Sequence, residues 1–275
     1  MDFAIKLQEI TGKGYLSYSS IKFAANGSKS QDMKLFELYM KGLLKRESDA
    51  FTFGSLYDTL LLEPEMVLER FYIIDDVEII QELSVKYANP RSSKIYKDWR
   101  AEEVAIAKEK NLTLVTEDDM GKAEAMINRL DASEVYDTEL GTYKPVRYYL
   151  DGEHQFEIND WIQEIPVRGF LDNLNRDVPF ISDSKSTKSI HGFRYDVNNY
   201  CYDIQAYIYT EVLGISDFYW VVQEKSSPYL CAVFKASEFT ISQGRDKFWS
   251  AIDNINKWLD NPENETDSFA LFNLI

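Results

Sequence analysis

The sequence predicts a protein of the α/β (α+β) class, in which strands and helices alternate along a chain of 275 residues. Two apolar runs, residues 162–174 and 178–186, are separated by a polar turn and have the pattern of a β-hairpin. Residues 195–214 have a helical period and end at a glycine. Residues 218–237 predict a second hairpin, and residues 241–261 predict an amphipathic helix after it.

The first predicted hairpin carries two carboxylates and a lysine. Asp172 ends the motif R-G-F-L-D, and Asp183 opens the triplet D-S-K. Because alternate residues of a strand share a face, Asp183 and Lys185 should point the same way and Ser184 away from them. Carboxylate oxygens suit a hard Mg²⁺ ion, and a lysine beside it could orient a water molecule or meet a phosphate. The alternative is that Asp172 is a turn residue and that Asp183 and Lys185 form an exposed pair.

The helix predicted over residues 195–214 is apolar on nearly all sides, which indicates that it is buried. Gln205 and Tyr209 lie one turn apart on a single face of this helix. An amide without a hydrogen-bond partner in an apolar setting costs a few kcal/mol. A polar site beside the helix would therefore explain why Gln205 is there.

Further motifs lie on both sides of this segment. Residues 16–22 read L-S-Y-S-S-I-K, residues 53–65 read F-G-S-L-Y-D-T-L-L-L-E-P-E, and residues 222–225 read V-Q-E-K. Together with G-x-x-D, D-x-K and Q-x-x-x-Y, in this order, they resemble the PD-(D/E)XK nucleases. The similarity points to the branch of the phage and prophage exonucleases of the exonuclease VIII type, related to lambda-type and RecB-type nuclease domains. It covers residues 14–260.

The resemblance implies a restriction-endonuclease-like fold, with a central mixed sheet flanked by helices and a helical N-terminal extension. The whole chain, residues 1–275, would then be a single nuclease domain. Within it, residues 1–140 would be mostly helical, residues 141–260 would form the catalytic αβ core, and residues 261–275 would be a C-terminal tail.

The resemblance also implies the residues of an active site. Lys185 would position the attacking water, and Gln205 with Tyr209 would steady Lys185 or a phosphate. The catalytic residues implied are Asp172, Asp183, Lys185, Gln205 and Tyr209. The ligands implied for one or two Mg²⁺ ions, for which Mn²⁺ can substitute, are Asp58, Asp172, Asp183 and the main-chain carbonyl of Ser184.

Asp58 is where this chain departs from its relatives, many of which have histidine at this position. Aspartate is an oxygen ligand and can replace imidazole at a Mg²⁺ site. On the helix predicted over residues 51–62, Asp58 shares an apolar face with Gly54 and Leu61. An ionised carboxylate there needs a cation or a dense set of hydrogen bonds. The alternative is that Asp58 lies at a groove edge and pairs with an arginine.

Relatives often carry a glutamate before the G-x-x-D strand, and several residues compete for that role. Glu164 is an even number of residues from Asp172, so it would share the same strand face unless a bulge intervenes. We therefore expect Glu164 as a possible accessory acid. The other candidates are Glu153 and Glu157.

The net charge of −16 argues at first against a nucleic-acid partner, because phosphate contacts are made by lysine and arginine. Basic residues nevertheless cluster in sequence around the proposed site, and a groove can be locally basic on an acidic protein. The candidates for DNA contacts are Lys22, Arg168, Lys188 and Arg194. For Lys22 the alternative is a solvated lysine beside an ordinary helix start.

The sequence contains no stretch long and apolar enough for a membrane span, and residues 1–10 lack a basic region followed by an apolar run. Cys201 and Cys231 lie in apolar segments, so we expect buried thiols rather than a disulfide. We expect a cytoplasmic protein, in the host cytoplasm if it is phage-encoded, and no membrane partner.

The function that the resemblance implies is metal-dependent hydrolysis of duplex DNA from an end, for phage-type recombination by single-strand annealing. Its expected partners are double-stranded DNA ends, a single-strand annealing protein and further copies of the chain in a homo-oligomer. The alternative is a DNA-end-binding or assembly protein that keeps the nuclease fold without cutting. A degenerate site should have lost an acid or the lysine, and the presence of Asp172, Asp183 and Lys185 favours the enzyme.

Overall fold

The computed structural model describes residues 2–44, 48–138 and 141–262. Those residues form eleven α-helices and nine β-strands. The helices are α1 (Phe3–Thr11), α2 (Tyr18–Ala24), α3 (Met33–Met40), α4 (Asp49–Leu62), α5 (Val67–Arg70), α6 (Val77–Ser84), α7 (Lys94–Glu109), α8 (Glu117–Asp131), α9 (Phe193–Asn199), α10 (Tyr202–Leu213) and α11 (Glu238–Asp260). The strands are β1 (Phe71–Ile74), β2 (Thr113–Thr116), β3 (Glu134–Asp137), β4 (Thr142–Pro145), β5 (Glu153–Ile162), β6 (Ile165–Asn175), β7 (Phe180–Thr187), β8 (Phe218–Glu224) and β9 (Cys231–Lys235).

The central sheet has five strands in the order β5-β6-β7-β8-β9. Neighbouring strands are antiparallel except β7 and β8, which are parallel. A parallel pair needs a long crossover connection, and α9 with α10 provides it. The predicted mixed sheet flanked by helices is therefore confirmed. Two small sheets, β1 with β2 and β3 with β4, complete the strands of the described residues.

The central sheet is buried between two layers of helices. Side chains alternate along β8, where Trp220 and Val222 join one apolar cluster and Val221 joins another. The first cluster includes residues of α1, α2, α10 and α11, and the second includes residues of α4 and α8. A side chain can therefore reach the sheet from α10 on one face or from α4 on the other.

The hairpin of β6 and β7 is paired only at its closed end. From Asp172 and Asp183 onward the strands separate, and the N-terminal segment takes the vacated edge of β6. The Leu16 N–H donates to the Pro166 carbonyl at 2.9 Å, and the Arg168 N–H donates to the Leu16 carbonyl at 2.8 Å. This opening between β6 and β7 is called the fork below. The paired residues are Asn173 with Ser182, Leu174 with Ile181, and Asn175 with Phe180.

The start of the first predicted strand is wrong by three residues. Ile162 ends β5, the backbone turns at Gln163, which has a φ of 54°, and β6 begins at Ile165. Glu164 consequently lies in an exposed two-residue turn. The expectation that Glu164 shares a strand face with Asp172 is therefore wrong.

The single helix predicted over residues 195–214 is two helices. The helical conformation is interrupted after α9, and Cys201 adopts the left-handed conformation with a φ of 58°. The Tyr18 hydroxyl donates to the Tyr200 carbonyl at 2.7 Å, which gives this carbonyl a partner at the break. The predicted stop is confirmed, because Gly214 is left-handed at the end of α10.

Other predicted elements differ less. The helices predicted over residues 51–62 and 241–261 are confirmed as α4 and α11, each beginning slightly earlier. The mostly helical N-terminal part also contains β1, β2 and β3. The predicted C-terminal tail lies outside the described residues from residue 263 onward. None of the helices in the described ranges is long and apolar enough to cross a membrane.

Candidate active site

The candidate site lies in the fork, where β6 and β7 stop pairing. The Asp172 carboxylate accepts a hydrogen bond from the Ser184 N–H at 2.8 Å. In a continuous ladder a main-chain carbonyl would accept from a strand N–H. The side chain of Asp172 therefore replaces the ladder at this point, and one carboxylate oxygen is bound to the main chain of β7.

Asp183 is the most buried acid of the site, with 2% of its surface exposed. The Lys185 ammonium contacts one of its carboxylate oxygens, so the two side chains meet as strand alternation predicts. The Gln205 amide donates to the other oxygen at 2.6 Å from α10. Lys185 also lies 3.3 Å from the Ser184 carbonyl. Gln205 thus holds Asp183, and the role that the resemblance implied for it, steadying Lys185 or a phosphate, stays a prediction.

Tyr209 contacts the main chain of β6. Its hydroxyl donates to the Phe170 carbonyl at 2.9 Å. A β-carbon at Gly169 would lie 3.0 Å from the Tyr209 ring, tighter than ordinary contact, so the glycine of G-x-x-D lets the ring approach. Tyr209 therefore keeps β6 close to α10 on one side of the fork.

Asp58 reaches the same place from α4, on the opposite face of the sheet. Burial and the charge of Asp172 raise the pKa of the Asp58 carboxyl, and the ammonium of Lys185 opposes that shift. Within the described ranges Asp58 forms no ion pair with an arginine. The alternative of an Asp58–arginine pair at a groove edge is therefore not what the structure shows.

The site brings three carboxyl groups close to a single lysine. Burial, and next the charge of Asp183, raise the pKa of Asp172 to about 7. For Lys185 burial disfavours the ammonium, but the carboxylates of Asp183 and Asp172 outweigh burial and raise its pKa. The metal-free site therefore favours the protonated forms of Asp58 and Asp172, and a divalent cation could take the place of those protons.

The residues of the fork fit a hard divalent cation in their chemistry. Carboxylate and main-chain carbonyl oxygens are the ligands that Mg²⁺ prefers. The Gln205 carbonyl oxygen is buried without a hydrogen-bond partner in the described residues, and a partly hydrated cation would bring water for it. Among those residues, no three or more His, Cys, Asp or Glu side chains already have the geometry to hold a metal ion. The ammonium of Lys185 occupies one oxygen of Asp183 instead.

Two clefts meet at Asp58 and Asp172, which line both. The cleft on the side of α2 and α10 has a volume of about 530 Å³ and includes Asp183, Lys185 and Tyr209. The cleft on the side of α4 has a volume of about 670 Å³ and extends to β1 and β2. The fork is therefore open to solvent from two directions.

A comparison with known families decides what fold this is. The model of a PDDEXK-like domain of unknown function (DUF3799) matches residues 17–268. The chain belongs to this family. The resemblance to the PD-(D/E)XK superfamily is thus confirmed, whereas membership of the exonuclease VIII type stays a prediction.

One solved structure shares its overall fold with the chain. The crystal structure of a protein from Eubacterium rectale, named only as a candidate exonuclease, has a TM-score of 0.59 and 16% identity over 90% of this chain and 82% of that one. At such identity the likeness shows the fold alone. The structure of SSO0001 has a TM-score of 0.32 and 12% identity over 74% of this chain and 85% of that one, which is too low to carry an argument. No protein with a curated description matches the chain.

The cleft of about 530 Å³ in this PDDEXK-like domain is lined by aromatic rings with cations beside them. The Arg168 guanidinium lies 5.3 Å from the centre of the Tyr15 ring, and the Lys13 ammonium lies 5.4 Å from that of Tyr39. Phe170, on β6, is 49% exposed. Rings and cations in alternation suit the bases and phosphates of a nucleic acid. Tyr15 and Tyr39 were not among the predicted site residues, since only the tertiary structure brings them to the fork.

The four predicted DNA-contact residues are spread around the PDDEXK-like site. Arg168 lines the cleft and forms an ion pair with Glu157 at 2.6 Å. Lys22 is half-buried, with its ammonium 5.3 Å from the centre of a tyrosine ring. Lys188 follows β7 directly, and Arg194 is exposed on α9. Their contacts with DNA remain predictions.

The acids proposed for an accessory role are engaged elsewhere. Glu153 forms an ion pair with Arg176, as Glu157 does with Arg168. The residue of β5 that faces the site is Gln155, whose amide lies 3.4 Å from the Asp172 carboxylate. Gln155 lies between His154 and Phe156, which pair with Asn173 and Leu171 on either side of Asp172, so it could have been found only by knowing how β5 pairs with β6.

We predict that Asp172→Asn stabilises the metal-free protein at pH 8. The folded-state pKa of about 7 lies above the ordinary value of 3.8. The carboxyl's contribution to stability is therefore complete below about pH 4 and is lost as the pH rises through 7. The amide still accepts from the Ser184 N–H but carries no charge. Melting in a chelator should show a gain of several degrees, since 1 kcal/mol corresponds to about 2–4 °C in a domain of this size.

The gain in melting temperature should shrink towards pH 4, where the wild-type carboxyl is itself neutral. The matched control is Asp177→Asn, at an exposed acid in the turn after β6, which should leave the melting temperature unchanged. Equal melting temperatures for wild type and Asp172→Asn at pH 8 would contradict the electrostatic account of the fork.

Proposed function

We propose that this PDDEXK-like protein is a metal-dependent nuclease that hydrolyses duplex DNA from an end. The observation that carries the proposal is the fork, in which Asp58, Asp172, Asp183 and Lys185 converge from three elements at the meeting point of two clefts. Hydrolysis of a phosphodiester needs an activated water and a stabilised leaving alkoxide, and a divalent cation bound by carboxylates supplies both at neutral pH. The ion proposed is Mg²⁺, with Mn²⁺ as a substitute, at one or two positions.

The proposed ligands are Asp58, Asp172, Asp183 and the Ser184 carbonyl. The Ser184 N–H donates to one oxygen of Asp172, and the Gln205 amide donates to one oxygen of Asp183. These two carboxylates are therefore held in place by the protein. Fixed carboxylates lose little freedom when they bind a cation, which favours binding. Gln205 would thus act by positioning Asp183, and Tyr209 by keeping β6 in place.

Lys185 has the role of a mobile positive charge in this proposal. Without a metal its ammonium rests on Asp183 and offsets part of the negative charge of the fork. Asp183 is one of the residues that would hold the cation, and the Lys185 ammonium would then be free to turn into the cleft. It would then orient the attacking water or a phosphate oxygen of the substrate.

The proposed substrate is double-stranded DNA that is cut from an end. The strand that is cut would lie in the cleft of about 530 Å³. The rings of Tyr15, Tyr39 and Phe170 and the cations of Lys13 and Arg168 support this proposal. We further propose a role in phage-type recombination, with a single-strand annealing protein as partner and a homo-oligomer as the assembly. These last elements rest on the motif resemblance to enzymes of the exonuclease VIII type.

The second candidate function is a DNA-end-binding or assembly protein with the nuclease fold and no cleavage. In such a protein we would expect the acids or the lysine of the fork to be lost or turned outward. Here Asp183 and Lys185 are in contact, and Asp172 lies at the same opening of the sheet. The intact arrangement favours the nuclease.

Linear duplex DNA with Mg²⁺ provides the direct test. We expect wild type to shorten linear duplex, to leave a covalently closed circle intact, and to stop when a chelator is added. Asp183→Asn removes one charge with little change of shape, and should lower the rate at least about a hundredfold while a melting experiment still shows a folded protein. Binding of ends without any loss of DNA in wild type would favour the assembly protein.

Lys185→Ala should separate metal binding from turnover. The ammonium competes with a cation for Asp183, so its removal should leave the Mn²⁺ affinity unchanged or raise it. Turnover should fall about a hundredfold or more, because the group that orients the water is missing. Calorimetric Mn²⁺ titration and single-turnover cleavage measure the two effects, with Lys86→Ala at an exposed lysine as control. A collapse of Mn²⁺ affinity in Lys185→Ala would contradict the role given to Lys185.

Asp58→Asn should weaken Mn²⁺ binding and raise the Mg²⁺ concentration needed for half-maximal cleavage. A neutral amide offers a carbonyl oxygen without the charge that holds a hard cation. Asp58→His should recover activity, more with Mn²⁺ than with Mg²⁺, since imidazole suits the softer ion better. A metal titration of the three proteins measures these differences. Unaltered metal dependence of Asp58→Asn would remove Asp58 from the proposed ligands.

A further inference from the structure

A group of three lysines, called the lysine cluster below, lies at the carboxyl ends of β7 and β8. Lys188 directly follows β7 and Lys225 directly follows β8, and these strands are parallel, with Thr187 opposite Glu224. The Lys225 N–H donates to the Thr187 carbonyl at 2.9 Å. The two lysines therefore leave neighbouring strands at the same edge of the sheet. The third member is Lys122.

Lys122 lies on α8, and its charge acts on the ammonium of Lys225. The Lys122 ammonium lies 4.7 Å from the centre of the Phe53 ring on α4, the helix that also carries Asp58. The cluster thus lies on the side of the sheet that α4 and α8 cover, opposite the cleft that Arg168 lines. Lys188 is three residues beyond Lys185 on the chain, or about 10 Å along an extended strand. The cluster is therefore next to the fork.

No carboxylate of the described residues forms an ion pair with the lysine cluster. In the part of the chain that the structure describes, none of its members forms an ion pair or a side-chain hydrogen bond. The carboxylate of Glu224, which is adjacent in sequence, instead accepts from the Ile190 N–H at 2.9 Å. The three lysines thus have no carboxylate partner in the described residues, although the chain has a net charge of −16.

The three lysines carry like charges, and none of them has an ion-pair partner in the described residues. Lys225 is half-buried, and burial first and then the charge of Lys122 lower the pKa of its ammonium, while the charge of Asp58 opposes this shift and exceeds the effect of Lys188. An anion placed among the three ammonium groups would remove the repulsion. The local surplus of positive charge thus selects for a ligand with several anionic oxygens.

We propose that Lys122, Lys188 and Lys225 form a phosphate-binding site that takes a phosphate of the nucleic acid strand beside the fork. Lysine binds phosphate as a point charge, so three ammonium groups can meet the non-bridging oxygens of one phosphate. The site would hold the DNA on the α4 and α8 side, while Arg168 and the aromatic rings hold it on the other. This inference rests on the proposed nuclease function.

The salt dependence of DNA binding tests the proposal. Each lysine that contacts a phosphate contributes about 0.9 to the slope of log K against log salt for duplex DNA, and about 0.7 for a single strand. The double variant Lys188→Gln/Lys225→Gln should therefore lower the slope by about 1.4 to 1.8 and weaken binding to all sequences equally. Fluorescence anisotropy with short DNA and Mg²⁺ measures this, with every protein carrying Asp183→Asn so that the DNA stays intact.

Three further variants show whether the change of slope is specific to the lysine cluster. Lys86→Gln, at an exposed lysine far from the sheet in sequence, should leave the slope unchanged. Lys225→Arg keeps the charge and should keep most of the slope. Lys188→Gln alone changes an exposed residue and should lower the slope by about 0.7 to 0.9, even if the double variant were to fold poorly.

DNA with phosphorylated ends and DNA with hydroxyl ends distinguish a terminal phosphate from a phosphate within the strand. If the cluster binds a terminal phosphate, the substitutions should weaken only DNA with a phosphorylated end. If it binds a phosphate within the strand, the loss should be the same for phosphorylated and hydroxyl ends. If the double variant has the same slope as Lys86→Gln on both kinds of DNA, the proposal is overturned. Cleavage by wild type would in that case still support the nuclease. A wild type that neither binds nor cuts DNA would overturn both.

Discussion

The arrangement of the site depends on two carboxylates that would face each other if β6 and β7 continued to pair. The ladder ends at Asn173 and Ser182, and the next pair in register would be Asp172 with Asp183. Like charges directly opposite on a sheet destabilise the pairing. The strands separate instead, Asp172 binds the main chain of β7 through its side chain, and the segment around Leu16 fills the edge that β7 leaves. The N-terminal segment and its tyrosines are thereby brought to the fork.

The separated strands let two helices on opposite faces of the sheet act on one point. A continuous sheet would keep Asp58 of α4 and Gln205 of α10 apart, because adjacent strands leave no gap at about 4.8 Å spacing. At the fork both side chains reach the acids of β6 and β7. The two clefts that meet there follow from the same gap. Solvent and substrate can therefore approach the carboxylates from either side.

The charge around the site differs from the net charge of the protein. The chain is strongly acidic, yet the cation–ring contacts of Lys13 and Arg168 line a cleft at the fork, and Lys188 and Lys225 follow the neighbouring strand ends. Buried carboxylates and a polyanionic substrate both require positive charge at the same place. Lys185 meets the first requirement in the metal-free protein, and the surrounding cations address the second. A net charge of −16 is therefore a poor guide to what the site binds.

Local features of the site could be predicted from the sequence, because strand alternation and helical period act within a few residues. They place Asp183 and Lys185 on one face, Gln205 on a buried helix, and Gly214 at the end of that helix, and the structure agrees. The mixed sheet followed from the motif order. The opening of the fork, the turn that carries Glu164 away from the site, and the approach of Gln155 could not be predicted, since each depends on register between strands. Register and the meeting of distant segments are decided by packing across the whole sheet, which no local pattern encodes.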